Sequence, residues 1–335
     1  MTQRQLSLGV ARDSYKRKFA QRVRMFLTQG STLKWVACLL VALLSSGVAQ
    51  IRATSASGNI ASETRAEFPP VFGQLVNISA RGFFGTSVNN LPMIGGFIVY
   101  GPDSKKVLIR ALGPSLSGVL ANDAATNPFI IVRDSFGNIV ASNDNWKDSQ
   151  QGLIAATGLA PADDLESAVV LTLPSGSYTV TALDKSANEG VLRVGLLEIY
   201  DIDSASQSHL TNISARGFVG GGENVIIGGF IIGGGAPTGV VVRGIGPSLL
   251  RFTIAGELVL LNPTLSLFDA NGTLLASNDD WKDTQEAQIE ATGLEPSFDR
   301  ESAIFMNLSP GSYTAIISGI GGGRGQGILE IFNVQ

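Results

Sequence analysis

From residue 75 onward, apolar residues come in runs of about five to eight, each cut by Gly, Pro, Asn or Asp. Runs of that length suit strands rather than helices, and the interrupting residues are those that make turns. TLSLFDANGTLLASND reads as strand, turn, strand, with Ala270-Asn271-Gly272 at the bend. SAIFMNLSPGSYTAIISG reads the same way around Pro310-Gly311. The pattern predicts eight strands near 75–82, 93–100, 106–112, 129–134, 138–142, 167–173, 177–183 and 191–200. It then predicts eight more, about 132–135 residues later. A short helix is expected after each of Trp146 and Trp281.

The second set follows because the sequence repeats itself. LVNISARGFFG from Leu75 matches LTNISARGFVG from Leu210, and MIGGFIVYG from Met93 matches IIGGFIIGG from Ile226. VLIRALGPSL from Val107 matches VVVRGIGPSL, and SNDNWKDS from Ser142 matches SNDDWKDT from Ser277. LPSGSYTV and GLLEIYD recur as LSPGSYTA and GILEIFN, always in the same order. This is a tandem duplication. Eight short strands per copy predict an all-β protein of two tandem β-sandwich domains, jelly-roll-like in type. Repeat 1 is placed at 74–203, a linker at 204–209 and repeat 2 at 210–335.

The N-terminal region has another character. Of 24 Lys and Arg and 28 Asp and Glu, eight and one lie in residues 1–49, so 16 and 27 remain beyond Ala49. The basic start leads into WVACLLVALL and then SSGVAQ, a pattern that predicts a secretory signal over 1–49, cleaved near Ala49. Two alternatives stay open: a start at Met25, and a retained signal-anchor. Residues 50–73, polar and small, are expected to form a flexible leader. The implied location is outside the cell or on its surface. The acidic remainder argues against nucleic acid as a partner, and no stable membrane span is expected after cleavage. The one cysteine, Cys38, falls within the apolar run, so the mature chain is expected to have neither disulfide nor thiolate chemistry.

The second half of each copy carries an Asp-x-x-Gly turn, an apolar strand, an Asn-Asp loop and a later Gly-x-Tyr strand. These are RDSFGNIVASNDNW with PSGSYTVTALD, and FDANGTLLASNDDW with SPGSYTAIISG. They resemble the bacterial pre-peptidase C-terminal domain. The ISARG, GGF and GPSL segments resemble a repeat of secreted, uncharacterised bacterial proteins. The resemblance implies a β-sandwich outside the cell, of a kind whose relatives bind calcium or extracellular polymers. A departure from the usage of that family is expected, with no catalytic domain beside the repeats.

Several residues carry candidate chemistry. Asn143, Asp144, Asn145 and Asp148, with Asn278, Asp279, Asp280 and Asp283, are oxygen-rich loops of the kind that hold Ca²⁺. The alternative is that these are turn formers bonding to their own backbone. Glu166 and Glu301 are possible further oxygen donors. Trp146 and Trp281 are candidates either to stack on a sugar or to plug one end of a sandwich core. Arg110 and Arg243 interrupt apolar strands and are expected to pair with Glu198 and Glu330. Ser115 and Ser248 in GPSL lack the context of a nucleophile, and the single histidine, His209, has no twin. GGGRGQG (Gly321–Gly327) is expected to be a loop. The composite expectation is a secreted, non-catalytic binding or adhesion module for polysaccharide or protein. The alternative is a structural spacer or envelope component without a ligand pocket.

Overall fold

The computed structural model describes residues 73–85, 91–186, 191–252 and 258–334. The expected signal segment, and all but the last residue of the expected leader, lie outside these. The described residues form an all-β, antiparallel structure of sixteen strands. Repeat 1 supplies β1 (Gln74–Phe84), β2 (Met93–Tyr100), β3 (Lys105–Leu112), β4 (Pro128–Asp134), β5 (Ile139–Asn143), β6 (Ser167–Leu173), β7 (Gly176–Asp184) and β8 (Arg193–Asp201). Repeat 2 supplies β9 (His209–Val219), β10 (Ile226–Gly233), β11 (Thr238–Ile245), β12 (Pro263–Asp269), β13 (Leu274–Asn278), β14 (Ser302–Leu308), β15 (Gly311–Gly319) and β16 (Gly325–Val334). Three short helices are α1 (Ser117–Leu120), α2 (Gln151–Ala156) and α3 (Glu286–Glu290). The last two are the helices expected after each tryptophan.

Within repeat 1 the strands pair in the orders β1-β8-β3-β6 and β2-β7-β4-β5. Repeat 2 has the equivalent orders β9-β16-β11-β14 and β10-β15-β12-β13. Two four-stranded sheets with these orders are a jelly roll. The copies are also joined to each other. β1 pairs with β10 over the register Gln74↔Gly233 to Arg81↔Ile227. β9 pairs with β2 from Ile94↔Arg216 to Tyr100↔His209. Each sheet therefore runs through both repeats, eight strands wide. The first strand of each copy is central to a sheet only because the other copy lies beside it.

The core follows the period-2 pattern of the strands. Ile78, Ala80 and Phe84 of β1, Phe97 and Val99 of β2, and Val107, Ile109 and Ala111 of β3 face inward. They belong to one cluster with Ile226, Phe230, Val240 and Val242 of repeat 2. The repeated Gly-Gly-Phe has a packing cause. A Cβ on Gly95 would lie 2.7 Å from Leu197 Cδ2, and one on Gly228 would lie 2.5 Å from Leu329 Cδ2. The missing side chain leaves room for a leucine from the opposite sheet. The following phenylalanine stacks on the tyrosine of the Gly-Ser-Tyr motif beside it, Phe97 on Tyr178 at 5.4 Å and Phe230 on Tyr313 at 5.5 Å.

The glycine run at the end of repeat 2 is only partly a loop. Residues 320–322 form a 3-10 turn, but β16 begins at Gly325. Gln326 exchanges hydrogen bonds with the Leu258 carbonyl and the Leu260 N–H. A Cβ on Gly325 would lie 2.3 Å from the Val259 carbonyl carbon, so the glycine permits that backbone approach.

The cross-repeat seam makes a prediction. An isolated repeat 1 would present β1 and β2 as long, uncharged-centred edges made for a near-copy of itself. Expressed alone, it should form a dimer through β1–β2 pairing, or precipitate. A stable, soluble monomer of repeat 1 by light scattering would contradict this.

Candidate functional site

The residues with candidate chemistry converge on the outer face of each repeat, over β3 and β6 or β11 and β14. Strand alternation turns Leu108 and Arg110 of β3 away from the central core. The connection from β5 to β6 folds over them. Trp146, Ile154, Leu108, Ala168, Val170 and Tyr200 make a second, smaller apolar cluster there. Repeat 2 has the same arrangement with Trp281, Ile289, Ala303 and Phe305.

Both tryptophans are buried, at 7% and 3% exposure. They are closed to a stacking sugar, and they pack outside a sheet rather than at the end of the core between the sheets. Alternation forces this, because the loop that bears them crosses the outer face. The backbone N–H groups of Trp146 and Trp281 donate to the carbonyls of Glu166 and Glu301, at 2.8 and 2.9 Å, and the Trp146 indole N–H donates to the Asp163 carbonyl at 3.1 Å. Lys147 and Lys282 lie over the indoles, with nitrogens 5.3 and 5.2 Å from the ring centroids. They also reach Asp164 at 2.5 Å and Asp299 at 3.0 Å. The hydrogen bond to Asp299 is the leading reason that the Lys282 pKa lies above its ordinary value.

Arg110 stands opposite Glu198 in the β3–β8 register, and Arg243 opposite Glu330 in β11–β16. Arg110 Nε donates to Glu198 Oε2 at 2.6 Å, while Nη1 donates to the Leu159 carbonyl at 2.5 Å and Nη2 to the Tyr200 hydroxyl at 3.1 Å. Tyr200 in turn donates to Glu198 Oε1 at 2.8 Å. Arg243 gives Nε and Nη2 to Glu330 Oε2 at 2.9 and 2.6 Å, and Nη1 to the Leu294 carbonyl at 2.8 Å. Each guanidinium thus ties the sheet to the loop that covers it. Burial acts to lower the Arg110 pKa, but Glu198 and Tyr200 outweigh it and the net shift is upward. Burial, then the Glu198 charge, pushes the Tyr200 phenol up, so it stays a donor.

Glu166 and Glu301 are fully buried and hold GPSL. Glu166 Oε1 accepts from the Gly113 N–H at 2.9 Å, the Ser115 N–H at 3.0 Å and the Ser115 hydroxyl at 2.5 Å. Glu301 accepts from the Gly246 and Ser248 N–H groups at 3.1 and 2.8 Å and the Ser248 hydroxyl at 2.8 Å. The carboxylate takes the donors left over at the start of a 3-10 turn, which are otherwise orphaned. The two serine hydroxyls are donors to a buried carboxylate.

The Asn-Asp loops are mostly spent on structure as well. Asn143 Oδ1 accepts from the Ala168 N–H at 2.9 Å, and Asn278 Oδ1 from the Ala303 N–H at 2.9 Å. Their amide nitrogens close the loop onto the carbonyls of Asn145 and Asp280, both at 3.0 Å. Asn145 Nδ2 donates to Asp148 Oδ2 at 3.2 Å, and Asp283 N–H to the Asp280 carbonyl at 3.0 Å. Asp144 Oδ2 pairs with Lys185 at 2.8 Å. Asp279 lies at the place in repeat 2 that Asp144 occupies in repeat 1. Two buried oxygens in the first loop, Asp144 Oδ1 and Asn145 Oδ1, accept no hydrogen bond. Among the described residues, no three His, Cys, Asp or Glu side chains converge.

One pair escaped the sequence reading. Gln150 and Gln285, just past each tryptophan, bind the backbone of β6 and β14. Gln150 donates to the Val170 carbonyl at 3.0 Å and accepts from the Val170 N–H at 2.8 Å. Gln285 does the same with Phe305, at 2.8 and 3.1 Å. The available signal was a glutamine kept at one position of both copies, DSQQ and DTQE.

The fold and this site define an all-β, jelly-roll class of protein whose repeated polar residues are turned inward. No family model matches the chain, and no curated protein matches it. Among solved structures it is similar to a DUF4785 family protein from Legionella pneumophila, at 8% identity over 84% of this chain and 89% of that one, with a TM-score of 0.21. It is also similar to the VP2 subviral particle of infectious bursal disease virus, at 12% identity over 81% and 74%, with a TM-score of 0.19. Likeness at that level carries no argument about function.

The ion-pair network is directly testable. Arg110→Met strands the buried Glu198 carboxylate and should cost roughly 3–5 kcal/mol. Combining it with Glu198→Leu should recover most of that loss. Chemical denaturation checks both, and an Arg110→Met variant as stable as the wild type would remove the network from the account of the fold.

Proposed function

We propose that this chain is a non-catalytic extracellular module whose role is structural, a spacer or envelope component built on two joined jelly rolls. One observation supports this reading most. The glutamates, arginines and tryptophans shared by the two repeats are spent on the fold, while Lys147, Lys282, Asp148 and Asp283 are exposed. Both glutamates hold GPSL, both arginines hold glutamates and covering loops, and both tryptophans are buried. Ser115 and Ser248 donate their hydroxyls to the buried carboxylates of Glu166 and Glu301, and the single histidine lies in neither GPSL segment. A binding or adhesion role toward polysaccharide or protein would have to use exposed surface instead of these residues. The basic and apolar N-terminal sequence supports export, and no helix among the described residues is long and apolar enough to cross a membrane. The resemblance of the second half of each copy to the pre-peptidase C-terminal domain supports a non-enzymatic module.

The purified chain should hydrolyse no polysaccharide, ester or peptide substrate. Turnover that disappears in Ser115→Ala with Ser248→Ala would overturn the proposal. Soluble oligosaccharides should also leave tryptophan fluorescence unchanged.

Calcium at the first Asn-Asp loop is a second reading, favoured by the two unpartnered oxygens of Asp144 and Asn145. Against it stands Lys185, already paired with Asp144. Binding to the folded state alone adds about 2.7 kcal/mol at a hundredfold excess over Kd. With Asp144 already neutralised by Lys185, melting is expected to be the same in EDTA and in millimolar Ca²⁺. A rise in calcium that is lost in Asp144→Ala would establish the metal site.

A further inference from the structure

The two-layer plate ends in four strand edges, β5 and β6 at one end and β13 and β14 at the other. Two of them are closed by side chains. The Gln150 amide satisfies both backbone groups of Val170, and Asn143 takes the Ala168 N–H. Gln285 and Asn278 do the same for Phe305 and Ala303. These amides imitate a neighbouring strand and leave β6 and β14 little to offer a partner.

The other two edges are treated differently. Among the described residues β5 pairs only with β4, and β13 only with β12. Neither strand contains a charge or a proline, two of the devices that blunt an edge; shortness and a bulge are the devices they do carry. Both are short, with a register shift in the hairpin that precedes each. Their apolar side chains face solvent: Ile139 is 59% exposed, Val140, Leu274 and Leu275 are exposed, and Phe136 at the adjoining turn is 89% exposed.

We propose that β5 and β13 are strand-addition edges for a second copy of this chain. The occupant is argued from the molecule itself. Duplication places a near-identical edge, IVASN or LLASN, at each end of every chain. Antiparallel pairing of the two sets branched apolar side chains against each other, a favourable cross-strand arrangement. The fold already joins its own repeats in this way, through β1–β10 and β9–β2. A third jelly roll added at β5 continues a sheet that runs through two. The edges are alike and lie at opposite ends, so β5 or β13 pairs with either edge of another molecule and always leaves one edge free; association is open and yields chains. Five residues per edge bury little area, so the association is weak and concentration-dependent. The inference rests on the non-catalytic reading above, and its test reads mass rather than turnover, so the two can fail separately.

Sedimentation velocity of the purified chain, from micromolar to millimolar concentration, should show mass growing beyond the dimer. Val140→Lys should yield nothing larger than dimers. Val140→Lys with Leu275→Lys should stay monomeric, with an unchanged circular dichroism spectrum and melting temperature. A wild type that is monomeric throughout would overturn the proposal. So would association that survives in the folded double variant, or a monomer that instead captures a strand-forming peptide at β5.

Discussion

Antiparallel pairing between the repeats is the constraint on which the rest of the structure depends. β1 pairs with β8 of its own repeat and with β10 of the other, and at Leu75↔Leu210 it also meets β9. β9 has the same relation to β16 and β2. Without the second partner, each jelly roll would expose a long edge on each of its two layers, where unmet N–H and C=O groups invite mispairing. With it, the apolar cluster between the sheets passes from one repeat into the other without a break. Duplication here has merged two sandwiches into one body.

The seam also explains why the repeated motifs sit where they do. Gly-Gly-Phe lies on β2 and β10, the strands that cross the seam, and accepts a leucine from the facing sheet. Its phenylalanine stacks on the tyrosine of β7 or β15. Farther out, the layer over β3 and β6 is fastened by three polar devices. The arginine reaches a glutamate and a loop carbonyl, the buried glutamate gathers the donors of GPSL, and the glutamine and asparagine finish the strand edge. Buried polar groups are costly unless they are hydrogen-bonded, and most of these are. The exceptions include the orphan oxygens of Asp144 and Asn145 in the covering loop and, within strands, the Asn77 amide and the Ser167, Ser302 and Thr314 hydroxyls.

Much of this was legible in the sequence. Alternation and turn residues place the strands to within a few residues, and eight such strands per copy point to the jelly roll. Arg110 and Glu198 were legible because a charge inside an apolar strand needs a partner, and few acids were available. The seam was not, because the same repeats are compatible with two separate sandwiches. Which edges meet depends on where the chain returns in space. The tryptophans were misplaced for a related reason. Burial can be read from composition, but whether a loop packs between two sheets or over one is decided by the crossing of the β5–β6 connection. Gln150 carried almost no signal, since a glutamine in a polar loop looks like solvent-facing chain until the strand edge beside it is known.

Where the repeats differ, the differences separate geometry from charge. Lys105 of repeat 1, buried, reaches Asp201 at 2.7 Å and the Asp203 carbonyl at 2.6 Å. At the corresponding place in repeat 2, Thr238 donates to Asn333 at 2.7 Å. A neutral hydrogen bond thus takes the position of an ion pair without changing the strands that carry it. Burial raises the Asp201 pKa despite the hydrogen bond from Lys105. A carboxyl whose pKa is higher folded than unfolded binds its proton more tightly in the folded state. Its contribution to stability therefore falls as pH rises from the ordinary aspartate range toward the raised value. Repeat 2 avoids that cost, and it also carries Phe332 where repeat 1 has the Tyr200 hydroxyl in its ion-pair network. Repeat 1 thus buries more polarity than repeat 2 at matching positions, while both keep the same strand register. What the duplicated sequence conserves is the fastening of covering loop to sheet, and the chemistry used to fasten it has been free to change.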